Sequence, residues 1–208
     1  GTDRFTFQVT DRGDPDNCSG SAPACDGPKT SAIKTYTITI NAVNDAPVNH
    51  VPGGQSLNED SSKVFSSANS NAITVTDVDG GSGVEKVSLS VTHGTVSLGS
   101  TAGLASVTGN GTASLVATGT LTSLNAALNG TTYSPAANYN GPDSLSVVSN
   151  DQGNTGSGGY LSDTDSISLT INPVNDTPNA NDGGTTIDED SGPKSIDLSS
   201  LVDDVETA

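Results

Sequence analysis

Residues 35–47 read TYTITINAVNDAP, and residues 166–178 repeat the pattern as SISLTINPVNDTP. In both stretches apolar side chains alternate with polar ones, which is the pattern of a half-buried β-strand. Each strand-like run closes on Asn-Asp-x-Pro, where the proline fixes the direction in which the chain leaves. The recurrence of a strand and its linker predicts a tandem array of like modules.

Other segments recur in the same order and set the module boundaries. Residues 1–13 parallel residues 141–153, Leu-Asn-Glu-Asp at 57–60 parallels Ile-Asp-Glu-Asp at 187–190, and Asp-Val-Asp at 77–79 parallels Asp-Val-Glu at 204–206. We therefore expect a fragment excised from a longer polypeptide. It divides into the back end of one module (1–47), a complete module (48–178) and the front end of a third (179–208).

Hydrophobic periodicity predicts mostly strands. Period-two alternation at 4–9 and 35–40 predicts a strand in each. Residues 87–98 alternate on both sides of His93-Gly94, which predicts a hairpin. Only residues 121–128 carry apolar residues at helical spacing, which predicts a helix of about two turns.

Composition limits the partners of the chain. Its 24 acidic residues against seven Lys and Arg give a net charge of −17, which excludes the basic stripes of a nucleic-acid-binding protein. Aromatic residues make up 3% and Trp and Met are absent, so we expect thin cores of Val, Ile, Leu and Ala. No apolar run approaches the roughly 18 residues that span a bilayer, and no signal peptide is visible, so we expect no membrane insertion in this segment.

The acidic residues are unevenly distributed. Residues 86–142 contain no Asp or Glu, whereas acids crowd the stretches around the two linkers. A solubilising surface is one explanation. Clustered carboxylates repel one another unless a cation neutralises them, and this is the second explanation.

Cys18 and Cys25 are the only cysteines, and they fall in one short loop. With no further Cys or nearby His, the pair favours a disulfide over a zinc site. Closing so small a loop contributes about 2.5 kcal/mol by the chain-entropy estimate. A disulfide would imply an oxidising, extracellular setting, and two idle thiols are the alternative.

Several of these motifs together resemble the bacterial cadherin-like repeats of giant surface adhesins and exoproteins. The resemblance spans nearly the whole chain. It rests on the Asn-Asp-x-Pro linkers, the Glu-Asp pairs at 59–60 and 189–190, Asp-Val-Asp-Gly at 77–80, and the phrase YSPAANYNG at 133–141. It implies tandem Greek-key (cadherin- or Ig-like) β-sandwich modules of about seven strands each.

The resemblance also implies calcium between consecutive modules. Carried over by position, the first junction would use Asn44, Asp45, Asp77, Asp79 and Asp151. The candidates for the second junction are Glu59, Asp60, Asn175, Asp176, and Asp203, Asp204 or Glu206. Glu189 occupies the same position in its repeat as Glu59 and is the last of the candidate calcium ligands. The Asp-Arg-Glu motif of vertebrate-type cadherins is missing from the acid-free stretch, so we expect fewer ions at each junction.

Elementary chemistry supports calcium independently of the resemblance. The ion takes about six to eight oxygen ligands in flexible geometry, which Asp side chains and linker carbonyls supply. Asp77 and Asp79 are two residues apart, so an extended segment directs both to one side, and Gly80-Gly81 lets the backbone fold around an ion. The alternative is plain turn chemistry, since Asp and Asn cap their own loops.

Other motifs carry less weight. Arg12-Gly13-Asp14 is an integrin-type tripeptide, but Asp11 and Gly13 also fit as ordinary turn residues. His50 and His93 are isolated, and no nucleophile–base arrangement or phosphate loop is present, so we expect no enzyme.

The sequence therefore predicts a calcium-rigidified stalk segment of an extracellular, cell-surface adhesin that packs against neighbouring repeats. One rival is a module that binds glycans or proteins, which exposed aromatic platforms would favour; only Tyr133, Tyr139 and Tyr160 are available, and we expect Tyr139 to pack within the fold instead. The other rival is a self-assembling fibre in which incomplete ends of adjacent chains complete one another.

Overall fold

A computed structural model describes residues 1–11 and 28–204 of the chain. Strands make up 42% of the structure, which confirms the predicted all-β class. No helix within the described residues is long and apolar enough to cross a membrane.

The chain forms two compact units. The first, here the N-terminal unit, comprises Gly1–Val43 with Thr155–Gly158, and the second, here the main unit, comprises Asn44–Asn154 with Gly159–Ala208. The division after Val43 falls at the first Asn-Asp-x-Pro linker. The division into three modules stays a prediction.

In its described residues, the N-terminal unit contains one antiparallel pair of strands, β1 (Thr2–Phe7) and β2 (Lys34–Thr39). Its register places Phe5 opposite Tyr36, and the two rings stack with centroids 5.3 Å apart. The alternation that predicted both strands is present, yet every residue in them is exposed.

As far as residue 204, the main unit is built of strands and one α-helix, α1 (Leu121–Leu128), which confirms the predicted helix. Thr120 caps its N-terminus by accepting a hydrogen bond from the Ser123 N–H. A 3-10 turn lies at Ser199–Leu201. The strands are β3 (Val48–His50), β4 (Gln55–Asn58), β5 (Lys63–Phe65), β6 (Thr74–Thr76), β7 (Glu85–Ser90), β8 (Gly94–Ser97), β9 (Ser106–Thr108), β10 (Ser114–Gly119), β11 (Thr131–Pro135), β12 (Gly141–Asn150), β13 (Ser162–Asn172), β14 (Asn179–Ala180) and β15 (Val202–Asp203).

Two sheets of the main unit share one hydrophobic core. One has six strands in the order β4-β13-β12-β7-β10-β9, and the other has three in the order β5-β11-β8. The first sheet is antiparallel except where β4 runs parallel to β13. Leu89 and Leu145 from the first sheet and Phe65 and Tyr133 from the second are fully buried in the same cluster. Burying each such side chain contributes about 1.5–3 kcal/mol, so this core stabilises the main unit.

The predicted hairpin at residues 87–98 is wrong. Its two strands exist as β7 and β8, but β7 pairs with β10 and β12 whereas β8 pairs with β11 in the other sheet. At the crossing, Asp143 accepts hydrogen bonds from the N–H groups of Thr92 and His93 at 3.1 and 3.0 Å. A Cβ at Gly94 would collide with the Ser134 carbonyl oxygen, so glycine lets β8 start directly against β11.

The repeated segments differ in burial between the two units. Phe5 and Ile38 are 52% and 43% exposed, whereas Leu145 and Leu169, which take the matching places in the second copy, are 0% and 1% exposed. The apolar face of β12 and β13 packs into the hydrophobic core, whereas the same face of β1 and β2 is exposed to solvent in the described structure.

The Asp143 contacts predict a local loss of stability. Asp143 also accepts from the Ser144 N–H at 2.8 Å, and the Tyr133 hydroxyl lies 2.9 Å from its Oδ2. Although burial raises the pKa of Asp143, the backbone donors and the Tyr133 hydroxyl lower it below its ordinary value. Asp143→Asn should lower the free energy of unfolding in urea by about 2–4 kcal/mol, because charge-assisted hydrogen bonds are lost in a buried site.

Asp3→Asn is the matched control for that variant. Asp3 occupies the repeated position in the exposed strand β1 and accepts from the adjacent Arg4 N–H. It should change stability by less than about 0.5 kcal/mol. Equal effects of the two variants would contradict the role given to Asp143.

Candidate metal centre

Three segments of the main unit come together in space at the N-terminal end of β7. They are the linker at Asn44-Asp45, the turn that begins at Asp77, and the turn that begins at Asp151. The Asp45 N–H donates to Asp79 Oδ2 at 3.2 Å, and the Asn44 side-chain amide donates to Asp151 Oδ2 at 2.5 Å. The residues predicted for the first junction thus come together.

Asp77 forms the turn that sequence chemistry offered as the alternative to calcium. Its Oδ1 accepts from the N–H groups of Asp79 and Gly80, both at 3.0 Å. Its Oδ2 is buried and, apart from the neighbouring Asp79 carboxyl, meets no hydrogen-bonding group. One oxygen therefore organises the turn, and the other is available to a ligand.

Asp151 is fixed by donors from two sides. It is 2% exposed, and its Oδ1 accepts from the N–H groups of Gly153 and Leu161 at 2.9 and 2.8 Å. Although burial raises its pKa, these donors and Asn44 lower the pKa of Asp151 below the ordinary value. Asp151 is held as a carboxylate, and Asn44 acts by positioning it.

Sequence reasoning missed Glu85, the first residue of β7. Glu85 is 0% exposed, and neither carboxylate oxygen has a hydrogen-bond partner. Its alternation with the buried Val87 and Leu89 was the available signal, because the same phase puts Glu85 on the inward face.

The charged groups that shift the pKa of Glu85 are carboxylates. Burial makes the largest contribution, Asp77, Asp151 and Asp79 add to it in that order, and together they raise the pKa to about 7. Burial and the Asp79 carboxyl likewise raise the pKa of Asp77. Four acidic side chains therefore interact unfavourably in one region of the main unit.

The remaining first-junction residue, Asp45, is exposed and reaches this region through its backbone N–H. Within residues 1–11 and 28–204, no three His, Cys, Asp or Glu side chains are arranged so that they could hold a metal ion as they stand. Binding at this cluster would require carboxylates to turn toward a shared ion.

The second predicted junction comes together only in part. Glu59 is buried, and its Oε1 accepts from the Val174 N–H at 2.7 Å while its Oε2 lies 3.4 Å from the Asn140 amide. Asp60 Oδ1 lies 3.5 Å from the Asn138 N–H. The hydrogen bond from the Val174 N–H joins Glu59 to the residue just before the second linker.

The other second-junction residues lie in separate contexts. The Asn175 amide donates to the Asp176 carbonyl at 2.9 Å, and Asp203 in β15 pairs with Asn179 in β14. Asp204 is partly buried beside β15, and Glu189 is exposed. Glu206 lies outside the described residues.

The two Glu-Asp turns do share one geometry. Asp60 and Asp190 have φ of 58° and 65°, and the residue after each donates to the carbonyl two residues before it at 3.3 Å. The repeat read from the sequence is therefore also present in the backbone.

Three other predictions meet the structure differently. Cys18, Cys25 and the Arg12-Gly13-Asp14 tripeptide lie outside the described residues, so the disulfide and the integrin motif stay predictions. Tyr133 was wrongly offered as an aromatic platform, because it is fully buried in the core. Tyr139 is partly buried and stacks on His93 with ring centroids 4.1 Å apart, whereas Tyr160 is exposed.

Comparison with known proteins gives no further assignment. No family model matches the chain, and no curated protein matches it significantly.

Glu85 predicts how stability depends on pH when divalent cations are chelated. Its pKa in the folded state is about 7 against an ordinary 4.5, so between these values the folded state binds more protons than the unfolded state. The melting temperature should therefore fall as pH rises from about 4.5 to about 7. Scanning calorimetry in chelator measures this slope, which Glu85→Gln should reduce, the remainder coming from the raised pKa of Asp77; a flat profile in the unsubstituted protein would contradict the environment described for Glu85.

Proposed function

We propose that the chain is a calcium-rigidified structural segment of an extracellular, adhesin-like repeat protein on a bacterial surface. Its modules would be tandem Greek-key, cadherin-like β-sandwiches that pack against neighbouring repeats and support attachment. The role is mechanical rather than enzymatic. The observation that carries the proposal is the meeting of the Asn44-Asp45 linker with Asp77, Asp79 and Asp151.

The chemistry of the cluster suits a hard cation. Its side chains offer oxygen donors, and Asp77 Oδ2 is a buried oxygen that has only another carboxyl beside it. Calcium tolerates irregular sets of carboxylate and carbonyl oxygens, whereas Mg²⁺ demands near-ideal octahedral geometry. Asp77, Asp79 and Asp151 would hold the ion, Asn44 would orient Asp151, and the linker would supply carbonyl oxygens.

The ion would make the linker rigid because it would replace repulsion between the carboxylates with shared coordination. Without a cation, the carboxylates repel one another and the linker is tied to the cluster by the two hydrogen bonds from Asn44 and Asp45. Shared coordination would turn that repulsion into attraction and restrain the linker. Extracellular modules bind calcium at about 10⁻⁴–10⁻³ M, so the segment would stiffen outside cells and slacken in chelator.

A second candidate function has one observation in its favour. The apolar face of β1 and β2 is exposed, although the same face of β12 and β13 forms part of a core. Such a face favours association with further strands, as in a self-assembling fibre whose subunits complete one another. Sedimentation velocity on the purified chain would support that role if elongated polymers form, and a monomer at all concentrations would contradict it.

The glycan- or protein-binding alternative has lost part of its basis. Of the three tyrosines that would favour it as exposed platforms, Tyr133 is buried and Tyr139 packs on His93, which leaves Tyr160.

Calcium should raise the thermal stability of the chain. At about 5 mM calcium, binding at the expected affinity contributes about 1–2 kcal/mol, or a melting shift of about 2–8 °C relative to chelator. Asp77→Ala combined with Asp79→Ala should abolish the shift, because both carboxylates of the turn are lost. Differential scanning fluorimetry or calorimetry measures it.

The matched control is Asp163→Ala with Asp165→Ala. These acids are also two residues apart and lie on β13, where Asp163 accepts from the Asn49 N–H. This variant should lose stability with and without calcium and keep the calcium shift. An undiminished shift in the Asp77/Asp79 variant would overturn the assignment.

A further inference from the structure

Glu85 differs from the other buried acids whose contacts are described above. Asp143 and Asp151 each accept hydrogen bonds from several donors, and Glu59 accepts from the Val174 N–H. Glu85 is 0% exposed and has no partner on either oxygen. A buried carboxylate without a partner costs several kcal/mol or gives up its charge, so its presence calls for a physical reason.

The Glu85 carboxylate is directed into the acidic cluster. A Cβ at Gly80 would collide with Glu85 Oε1 and would lie 3.1 Å from the Asp77 Cβ, so Glu85 lies directly against the turn that Asp77 forms. Gly80 is itself buried, and the absence of a side chain there is what admits the carboxylate. Asp151 and Asp79 act on it electrostatically.

A hydrogen-bonding role within the protein does not account for Glu85. The N–H groups of Asp79 and Gly80 donate to Asp77 Oδ1, and those of Gly153 and Leu161 donate to Asp151 Oδ1. The Asn154 amide, which contacts the residue before Glu85, donates to the carbonyls of Val84 and Asp151. These donors serve other acceptors, and neither Glu85 oxygen has a partner, which leaves both for a cation.

We propose that Glu85 is the innermost ligand of the calcium ion held by Asp77, Asp79 and Asp151, so that the ion is part of the folding of the main unit itself. The proposal rests on the proposed function, in that it concerns the same ion. It goes further because all four carboxylates belong to the main unit and Glu85 opens a strand of its core sheet. The ion would therefore fix the start of β7 as well as the linker.

Glu85→Gln separates this role from a merely structural one. In chelator at pH 7.5 the variant should melt at a higher temperature than the unsubstituted protein, because a buried, unpartnered charge is removed. In calcium titrations the variant should bind at least about tenfold more weakly, because one charged ligand is lost. Isothermal titration calorimetry and melting curves give the two readouts.

Asp143→Asn is the control for a buried carboxylate elsewhere in the core. It should lower the melting temperature in chelator and in calcium alike and leave the calcium affinity unchanged. Glu85→Asp serves as a second variant at the same position. It keeps the negative charge but shortens the side chain by one methylene, so it should also weaken calcium binding, and the proposal stays testable if Glu85→Gln folds poorly.

The outcomes separate the two proposals. If the unsubstituted protein shows neither calcium binding nor a calcium-dependent melting shift, the proposed function fails and this inference fails with it. If calcium binds normally to the unsubstituted protein and equally well to Glu85→Gln, the inference alone is overturned. A higher melting temperature in chelator together with weakened binding supports it.

Discussion

The burial of the Glu85 carboxylate beside Asp77, Asp79 and Asp151 is the constraint that sets the electrostatics of this region of the main unit. Glu85 is fully enclosed at the start of β7, and its oxygens have no donor. Burial and the three nearby carboxylates raise its pKa to about 7. Near neutral pH, therefore, either Glu85 binds a proton or a cation neutralises the cluster.

The core of the main unit holds this unfavourable region in place. Val87 and Leu89 follow Glu85 on the same face of β7 and are buried in the cluster shared by both sheets. Shifting the strand by one residue would move every one of these side chains to the opposite face, which the core forbids. Because Val87 and Leu89 pack into the core, the Glu85 side chain on the same face must also point inward. A bound cation would reduce the resulting repulsion between carboxylates.

Local patterns in the sequence were good guides to strands and to turns. Alternation located β1 and β2, helical spacing located α1, and the Asn-Asp-x-Pro linkers pointed to the residues that meet near β7. The hairpin failed because alternation gives the faces of β7 and β8 but not their partners. The donors of Thr92 and His93 are bound by Asp143, some fifty residues away in the chain, and no local pattern reveals such a contact.

Glu85 was overlooked for a related reason. A single acidic residue at the start of a strand is usually expected to be exposed to solvent. Only the two-residue spacing between Glu85 and Val87, which places both side chains on the same face of β7, indicated that Glu85 is buried. The second predicted junction shows the opposite limit, since the sequence assigned Glu59 and Asp203 to one junction while the structure joins Glu59 to Val174 and Asp203 to Asn179. Repetition in sequence predicts equivalent places in modules, and the contacts of each place depend on which neighbouring segments are folded against it.

A crystal structure of the chain grown with calcium, with the ion located by anomalous scattering, would show whether Glu85 is a calcium ligand. We expect one ion among Asp77, Asp79, Glu85 and Asp151, with a Glu85 oxygen at a calcium–oxygen distance of about 2.3–2.6 Å. An ion bound elsewhere, or none at this cluster while Glu85 keeps its buried position, would contradict it.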